Sequence, residues 1–299
     1  MKTQLKAKLL LTLSMAIFGT LAPFVRNIPI SSGELALGRA VLAVILIGIA
    51  LPLTGQKLSL HTIKKALPFL LISGMAMGFN WILLFEAYKY TTVSVATLSY
   101  YFAPVIVTVI CPLLFRERMT AKQIVCFVMS TVGLVLVIGV GDLAASGTHL
   151  IGILFGLGAA VLYASVILLN KFIKDVEGIP RTFFQFLAAI LILVPYVLFS
   201  GGVHFDAMDT KGWICLLVVG LVHTGLTYCM YFSSLKDLSG QETALLSYVD
   251  PLVAILISVT LLHESITLLQ IVGGVMILGF TLWNELGGAN PFTKKGKKK

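Results

Sequence analysis

The chain has 299 residues, of which 58% are hydrophobic and only 12% are charged. A soluble domain carries about 25% charged residues, and even a large one buries only about 75% of the surface of its unfolded chain. A mean hydropathy of +0.99 therefore excludes a water-soluble fold and predicts a protein embedded in a lipid bilayer, where apolar side chains can face hydrocarbon.

Ten apolar stretches follow one another between short polar breaks, and a helix needs about 20 such residues to cross a bilayer core. They predict an all-α integral membrane protein with ten transmembrane helices. In chain order, spans 1 to 10 are Leu9 to Val25, Leu35 to Leu53, Ala66 to Tyr88, Val93 to Phe115, Gln123 to Val140, Leu150 to Phe172, Phe183 to Phe199, Trp213 to Ser234, Thr243 to Leu262 and Leu268 to Leu286.

Basic residues are distributed unevenly between the two sets of loops. With the amino terminus in the cytoplasm, 18 of the 22 lysines and arginines fall on the inner side and only three, Arg26, Lys89 and Lys211, on the outer side. The positive-inside rule thus predicts a multi-pass protein of the cytoplasmic membrane with both termini in the cytoplasm. The net charge of +9 therefore reflects topology and does not indicate nucleic-acid binding, and the lysine tail is expected to contact anionic lipid.

The chain contains an internal repeat. Residues 88–125 match residues 235–272 at 11 of 38 positions without gaps, whereas composition alone gives roughly three or four. Because each repeat holds five spans, an odd number, the second copy is predicted to be inverted, as in many secondary transporters. We predict a first five-helix repeat at residues 1–145, an inverted second repeat at 146–287 and a cytoplasmic lysine-rich tail at 288–299.

Several short motifs accompany the five-plus-five arrangement. They are an aromatic-glycine pair in span 1 (Phe18 and Gly19), an arginine early in span 2 (Arg39) and mid-helix prolines before glutamate-containing loops. In these features residues 8–286 resemble the EamA type of the drug/metabolite transporter superfamily. The resemblance implies alternating access around a central cavity lined by spans 1, 3, 4, 6, 8 and 9, often for export of amino acids or other small metabolites. Span 7 departs from the pattern, since Leu187 stands near the position that corresponds to Arg39.

Polar side chains inside hydrocarbon are costly, so those within the spans are the candidate functional residues. Asp250, halfway along span 9, is expected to be protonated, to be paired, or to bind a cationic group of the substrate. His223 is near the centre of span 8 and is a candidate for proton coupling, because imidazole titrates near neutrality, with a structural role as the alternative. The predicted substrate-binding residues are Asn80, Trp81, Tyr101, Thr227, Tyr231, Tyr248 and Asp250, and the predicted proton-coupling residues are His223 and Asp250.

Two further pairs have predicted roles in the architecture. Arg39 and Glu86 both belong to the outer third of the membrane and are expected to form a structural ion pair or an outer gate. Pro104 and Pro251 match each other in the repeat, and each removes a backbone donor near mid-membrane. The kinks at these prolines are expected to face the protein interior or a water-filled cavity.

The predicted function is that of an EamA-type secondary active transporter, which moves an amino-acid-like metabolite, zwitterionic or cationic, by proton-coupled export. Uptake of the same class of metabolite is the alternative. An intramembrane enzyme is disfavoured because the chain has no GxSxG, and His263-Glu264 does not extend to HExxH. A channel is disfavoured because no ring of repeated selectivity residues is present. No cofactor or metal is expected. The expected partners are a small-molecule substrate and the lipid bilayer, for a monomer or homodimer.

Overall fold

The computed structural model describes residues 2–54, 60–115, 119–138, 147–173, 176–238 and 240–287. Within these residues, nine helices are long and apolar enough to cross a membrane, and span 9 holds a shorter apolar helix, Leu245–Thr260. The prediction of an all-α, multi-span membrane protein is confirmed. The predicted tail at 288–299 and the predicted repeat boundary at residues 145 and 146 lie outside the described residues.

Six spans are continuous helices, and four are interrupted. Spans 2, 3, 5, 6, 7 and 10 are Ser32–Ala50, Leu60–Tyr90, Ala121–Ile138, Gly147–Asn170, Gly178–Phe199 and Leu268–Gly287. Span 1 consists of Lys2–Gly19 and Leu21–Arg26, span 4 of Val93–Tyr100 and Ala103–Phe115, span 8 of Thr210–Leu217, a π-helical segment Val218–Leu226 and Thr227–Ser234, and span 9 of Gly240–Ser247 and Val249–Thr260.

Span 3 begins six residues before its predicted start at Ala66, because its helix continues through the basic pair Lys64 and Lys65. An apolar pattern marks only the part of a helix that lies in hydrocarbon, and the polar turn that emerges from it carries no such signal. The same limit applies to span 1, whose helix starts at Lys2 and not at Leu9.

Side-chain caps begin spans 2, 4 and 8, as they also begin spans 5 and 10. The hydroxyl of Ser31 accepts from the backbone of Glu34, whose carboxylate accepts from the backbone of Ser31 in return, so a capping box starts span 2. Thr92 accepts from the backbone of Val95 at the start of span 4. Asp209 accepts from the backbone of Gly212 at 2.7 Å at the start of span 8. These acceptors satisfy backbone donors that have no partner in the first turn of a helix.

The packing of the spans is symmetric along the chain. Span 1 packs against spans 8 and 9, and span 6 packs in the same way against spans 3 and 4. Span 2 packs against span 7, span 4 against span 9 and span 5 against span 10. Exchanging each span with the one five positions later leaves this pattern unchanged, so the two halves interlock. Following the charge prediction, we call the end that holds Arg26, Lys89 and Glu264 the outer end and the opposite end the inner end.

Candidate functional site

Spans 4 and 9 are interrupted at matching positions of the repeat. Span 4 breaks between Tyr100 and Ala103, and span 9 breaks at Tyr248. Pro104 and Pro251 lie in the first turn of the helix after each break, where a missing backbone N–H costs nothing. The sequence predicts kinks at these prolines, and the structure interrupts both helices there. Such discontinuous helices place backbone polar groups and helix ends near mid-membrane.

A hydrogen bond joins the two breaks. The hydroxyl of Tyr101, in the break of span 4, donates to Oδ2 of Asp250 at 2.5 Å. Asp250 lies in the first turn after the break of span 9, where the unpaired N–H groups of a helix N-terminus favour a carboxylate. Span 1 packs closely against the backbone of span 9 at this point, since a Cβ on Gly19 would lie 2.6 Å from the carbonyl oxygen of Asp250.

Tyrosine rings surround Asp250. Tyr100 lies edge-on to Tyr101 with 6.0 Å between ring centroids and stacks on Tyr163 at 5.3 Å. Tyr163 keeps 39% of its surface accessible, although it stacks inside the bundle and lies within electrostatic range of Asp250 and Tyr228. We call this group of side chains the chamber. Its residues are Tyr100, Tyr101, Tyr163, Tyr228, Tyr231 and Asp250.

Arg39 lies beside the chamber and is only 3% exposed. Its Nε donates to Oγ1 of Thr224 at 3.0 Å, and its guanidinium carbon lies 4.5 Å from the ring centre of Trp81 and 5.3 Å from that of Phe85. Aromatic faces attract a guanidinium and reduce the cost of placing it in the membrane. Arg39 thus contacts spans 8 and 3.

The predicted ion pair between Arg39 and Glu86 is not formed. Glu86 instead accepts from Nζ of Lys89 at 3.0 Å, one turn further along span 3. A pair on one helix face needs no inter-span approach, and the aromatic faces of span 3 take the guanidinium of Arg39 in place of a carboxylate.

Span 8 contains a π-helical segment that the sequence analysis did not predict. Within Val218–Leu226, Nδ1 of His223 lies 3.3 Å from the carbonyl of Val218, and Thr224 donates to the carbonyl of Val219 at 2.7 Å. In each pair the carbonyl lies five residues before the side chain, which is the spacing of a π-helix, and such segments occur often at functional sites. No residue pattern in the sequence signals this change of helical period.

His223 is enclosed at this segment. It is 2% exposed, and its Nε2 lies 3.0 Å from Oγ1 of Thr20 in the break of span 1. With Nδ1 against the carbonyl of Val218, both ring nitrogens have partners. His223 therefore ties span 8 to span 1, and the structure places it outside the chamber.

Two other predicted binding residues form hydrogen bonds to backbone carbonyls. Asn80 is 3% exposed and donates to the carbonyl of Ala159 at 2.6 Å, which connects span 3 to span 6. Thr227 is fully buried and donates to the carbonyl of Val222 in its own span. Their side chains bond to backbone carbonyls, and their contact with substrate stays a prediction.

Trp81 and Tyr248 are also enclosed. Trp81 is 4% exposed, and its faces are taken by Arg39 and by the edge of Phe186. Tyr248 is 9% exposed in an apolar cluster with Leu98 and Ile277. Of the seven predicted substrate-binding residues, the structure joins Tyr101 to Asp250 by a hydrogen bond and packs Tyr101 against the cluster that contains Tyr248.

A polar network, absent from the predicted site, links the two halves at the outer end. Glu264 pairs with Nη1 of Arg26 at 2.5 Å and accepts from the backbone of Val93 at 2.8 Å and from Ser258 at 2.5 Å. Ser94 donates to Ser258 at 2.7 Å. We call Arg26, Ser94, Ser258 and Glu264 the outer network. A cavity of about 390 Å³ lies beside it between the outer ends of spans 1, 2 and 3, with Phe85 among its lining residues.

Two broken helices, one from each half, meet at a carboxylate among tyrosine rings, and discontinuous helices of this kind are typical of membrane transporters. The model of the EamA-like transporter family matches residues 5–139 and again residues 150–284. The chain belongs to this family and is a multi-pass membrane transporter.

Its relatives carry transporter names. The chain is 29% identical over 294 residues to "Uncharacterized transporter YxxF" of Bacillus subtilis, which covers 97% of this chain and 93% of the relative. It is 28% identical over 284 residues to an uncharacterized transporter of Archaeoglobus fulgidus, which covers 92% of this chain and 95% of the relative. It is 26% identical over 186 residues to "Probable amino-acid metabolite efflux pump" of Salmonella typhimurium, which covers 58% and 60%.

A solved structure shares the fold. The structure titled "Crystal structure of protein" superposes with a TM-score of 0.63 at 16% identity, covering 94% of this chain and 97% of the other.

Proposed function

We propose that the protein is a secondary active transporter that exports an amino-acid-like metabolite, zwitterionic or cationic, by alternating access coupled to protons. The observation that carries this proposal is the hydrogen bond from Tyr101 to Asp250. It places a carboxylate among aromatic rings where the two broken helices meet. A carboxylate there attracts an ammonium group, and aromatic faces favour cations and apolar side chains.

Asp250 is the proposed coupling group. A carboxylate within the membrane is costly unless it is protonated, hydrogen-bonded or paired. Proton and substrate ammonium thus compete for the same oxygens. Arrival of substrate from one side releases the proton, and arrival of a proton from the other side releases the substrate. This exchange drives export when the outside is more acidic than the cytoplasm. Both ring nitrogens of His223 have partners. Its proposed role is therefore to hold span 8 against span 1.

The outer and inner ends of the bundle differ in their contacts. At the outer end, the outer network joins spans 1 and 4 to span 9. Toward the inner end, the exposed side chain of Glu285 lies within electrostatic range of Tyr163 and Tyr231. Export is what the name of the Salmonella relative states for that protein.

Flux in proteoliposomes tests the proposal. Purified protein is reconstituted, the vesicles are loaded with labelled L-leucine, L-phenylalanine or L-lysine, and efflux is followed with and without an acidic exterior. We expect saturable efflux that an acidic exterior accelerates and a protonophore slows, and we expect trans-stimulation by unlabelled amino acid. Acceleration of uptake by an acidic exterior indicates import of the same class, and unsaturable flux indicates a channel.

A further inference from the structure

The guanidinium of Arg39 has unused hydrogen-bond donors inside the protein. Arg39 is 3% exposed, and its hydrogen bond to Thr224 uses only Nε. Within the described part of the chain, neither Nη atom donates a hydrogen bond, and neither is fully enclosed by protein atoms. A guanidinium presents five donors in a planar fork that matches a carboxylate. The two Nη atoms of Arg39 are therefore partly accessible and have no hydrogen-bond partner among the described residues.

The acidic side chains nearest to this part of the bundle are engaged elsewhere. Glu86 pairs with Lys89, Glu264 pairs with Arg26, and Asp250 accepts from Tyr101. Among the described residues, no salt bridge involves Arg39. Ring contacts at 4.5 and 5.3 Å attract its charge but satisfy no N–H. A buried charge of this kind is compensated fully only by an anion.

Arg39 is connected to the chamber through aromatic rings. Trp81, which lies against Arg39, packs on Phe186 at 5.1 Å, and Phe186 packs on the chamber residue Tyr228 at 5.3 Å. The phenols of Tyr88, Tyr100 and Tyr228 lie within electrostatic range of both Arg39 and Asp250.

We infer that Arg39 binds the carboxylate of the transported substrate through its Nη atoms. This inference rests on the proposed function and narrows its substrate class. The substrate carries a carboxylate as well as an amine, and purely cationic amines and amino-acid amides are poor substrates. Thr224 is a positioning residue, since its hydroxyl holds Nε and thereby orients the fork.

Binding of matched acids and amides tests the inference. The chain has three tryptophans, and replacing the exposed Trp213 and Trp283 by Phe leaves Trp81, which lies against Arg39, as the fluorescent reporter. The full chain in nanodiscs is titrated with L-leucine, L-phenylalanine and L-lysine and with the amide of each. We expect each acid that binds to bind at least about tenfold more tightly than its amide, because a charged hydrogen bond is lost in the amide.

Three variants assign the preference to Arg39. Arg39→Gln is expected to bring the acid-to-amide ratio to within about twofold of one. Arg39→Lys should keep part of the preference, since it retains the charge but not the fork. Thr224→Val, which keeps the guanidinium, should lower the ratio severalfold. If Arg39→Gln does not fold, the acid-to-amide ratios of Arg39→Lys and Thr224→Val test the inference.

Two results overturn the inference. One is that no acid of the three binds more tightly than its amide. The other is that the preference persists unchanged in the variants. Efflux of the same compounds separates this inference from the proposed function. Acid-selective binding without any flux supports the Arg39 site and contradicts export, whereas equal flux of acids and amides supports transport and contradicts the Arg39 site.

Discussion

Arg26 at the end of span 1 and Glu264 after span 9 form an ion pair in which Nη1 lies 2.5 Å from Oε1, and the side chain of Glu264 is only 11% exposed. Arg26 also donates to the carbonyls of Tyr88 and Thr91 at the end of span 3. The pair therefore holds three spans of the bundle together at the outer end. Alternating access requires the outer end to separate, so these bonds are expected to break in the outward-open state.

Replacing Glu264 with Gln is expected to open the outer end. The substitution removes the charge that pairs with Arg26 and costs the closed state about 1–3 kcal/mol. Spin labels on the exposed positions Asn27 and Leu261, in a variant without the four native cysteines, measure the separation of the two sides. We expect a longer-distance population that is absent or minor in the parent.

Glu86→Gln is the matched control for this measurement. Glu86 forms an ion pair of similar length with Lys89, but both residues belong to span 3 and the pair is more exposed. Its loss should cost less than about 1 kcal/mol and leave the distances unchanged. Identical distance distributions in Glu264→Gln and the parent, or an equal shift in the control, contradict a gating role for the outer network.

Asp250→Asn is expected to abolish the acceleration of efflux by an acidic exterior, because an amide takes up no proton at these pH values. His223→Gln should retain that acceleration, because His223 lies outside the chamber with both nitrogens bonded. The histidine variant is expected to lose about 1–2 kcal/mol of stability with its hydrogen bonds. Efflux rates at matched internal pH compare the two variants. A normal response in Asp250→Asn places the coupling group elsewhere.

The spans and the matched breaks were predictable from the sequence. Hydropathy identifies residues that lie in hydrocarbon, and the alignment of Pro104 with Pro251 marks both interruptions. The cost of a carboxylate in the membrane also singles out Asp250. These features were predictable because they depend on the chemistry of single positions and on the internal repeat, and both can be seen in the sequence.

The inward faces of the spans were not predictable in the same way. In a soluble protein, the apolar stripe of a helix marks its buried face. In a bilayer, both lipid and neighbouring helices are apolar, so polar residues alone distinguish the faces, and they serve packing as well as binding. Asn80 and Tyr231 both fit a polar stripe, but one bonds to span 6 and the other belongs to the chamber. The contacts of Arg39 come from spans 3 and 8. They depend on how three spans fold together, so no local sequence pattern identifies them.

Gly19→Ala is expected to destabilise the protein by about 1–3 kcal/mol. A Cβ at Gly19 would lie 2.6 Å from the carbonyl oxygen of Asp250 and 2.7 Å from Cβ of Val253, so span 1 must move away from span 9. Gly279→Ala in span 10 is the control, because a Cβ there meets nothing within 4 Å, and alanine favours the helix by up to about 1 kcal/mol. Thermal unfolding of both variants in detergent measures the difference. Equal transition temperatures would show that spans 1 and 9 do not pack closely at Asp250.

Asn80→Ala is expected to change stability, and Tyr231→Ala is expected to change substrate binding. Asn80 donates to the carbonyl of Ala159 at 2.6 Å and is 3% exposed, so its loss should lower stability by about 1–2 kcal/mol and leave the half-saturating substrate concentration of efflux unchanged. Tyr231 belongs to the chamber, so its loss should raise that concentration severalfold with little change in stability. Unfolding temperatures and concentration-dependent efflux of the two variants are measured side by side. A raised half-saturating concentration in Asn80→Ala with unchanged stability would show that Asn80 contributes to substrate binding.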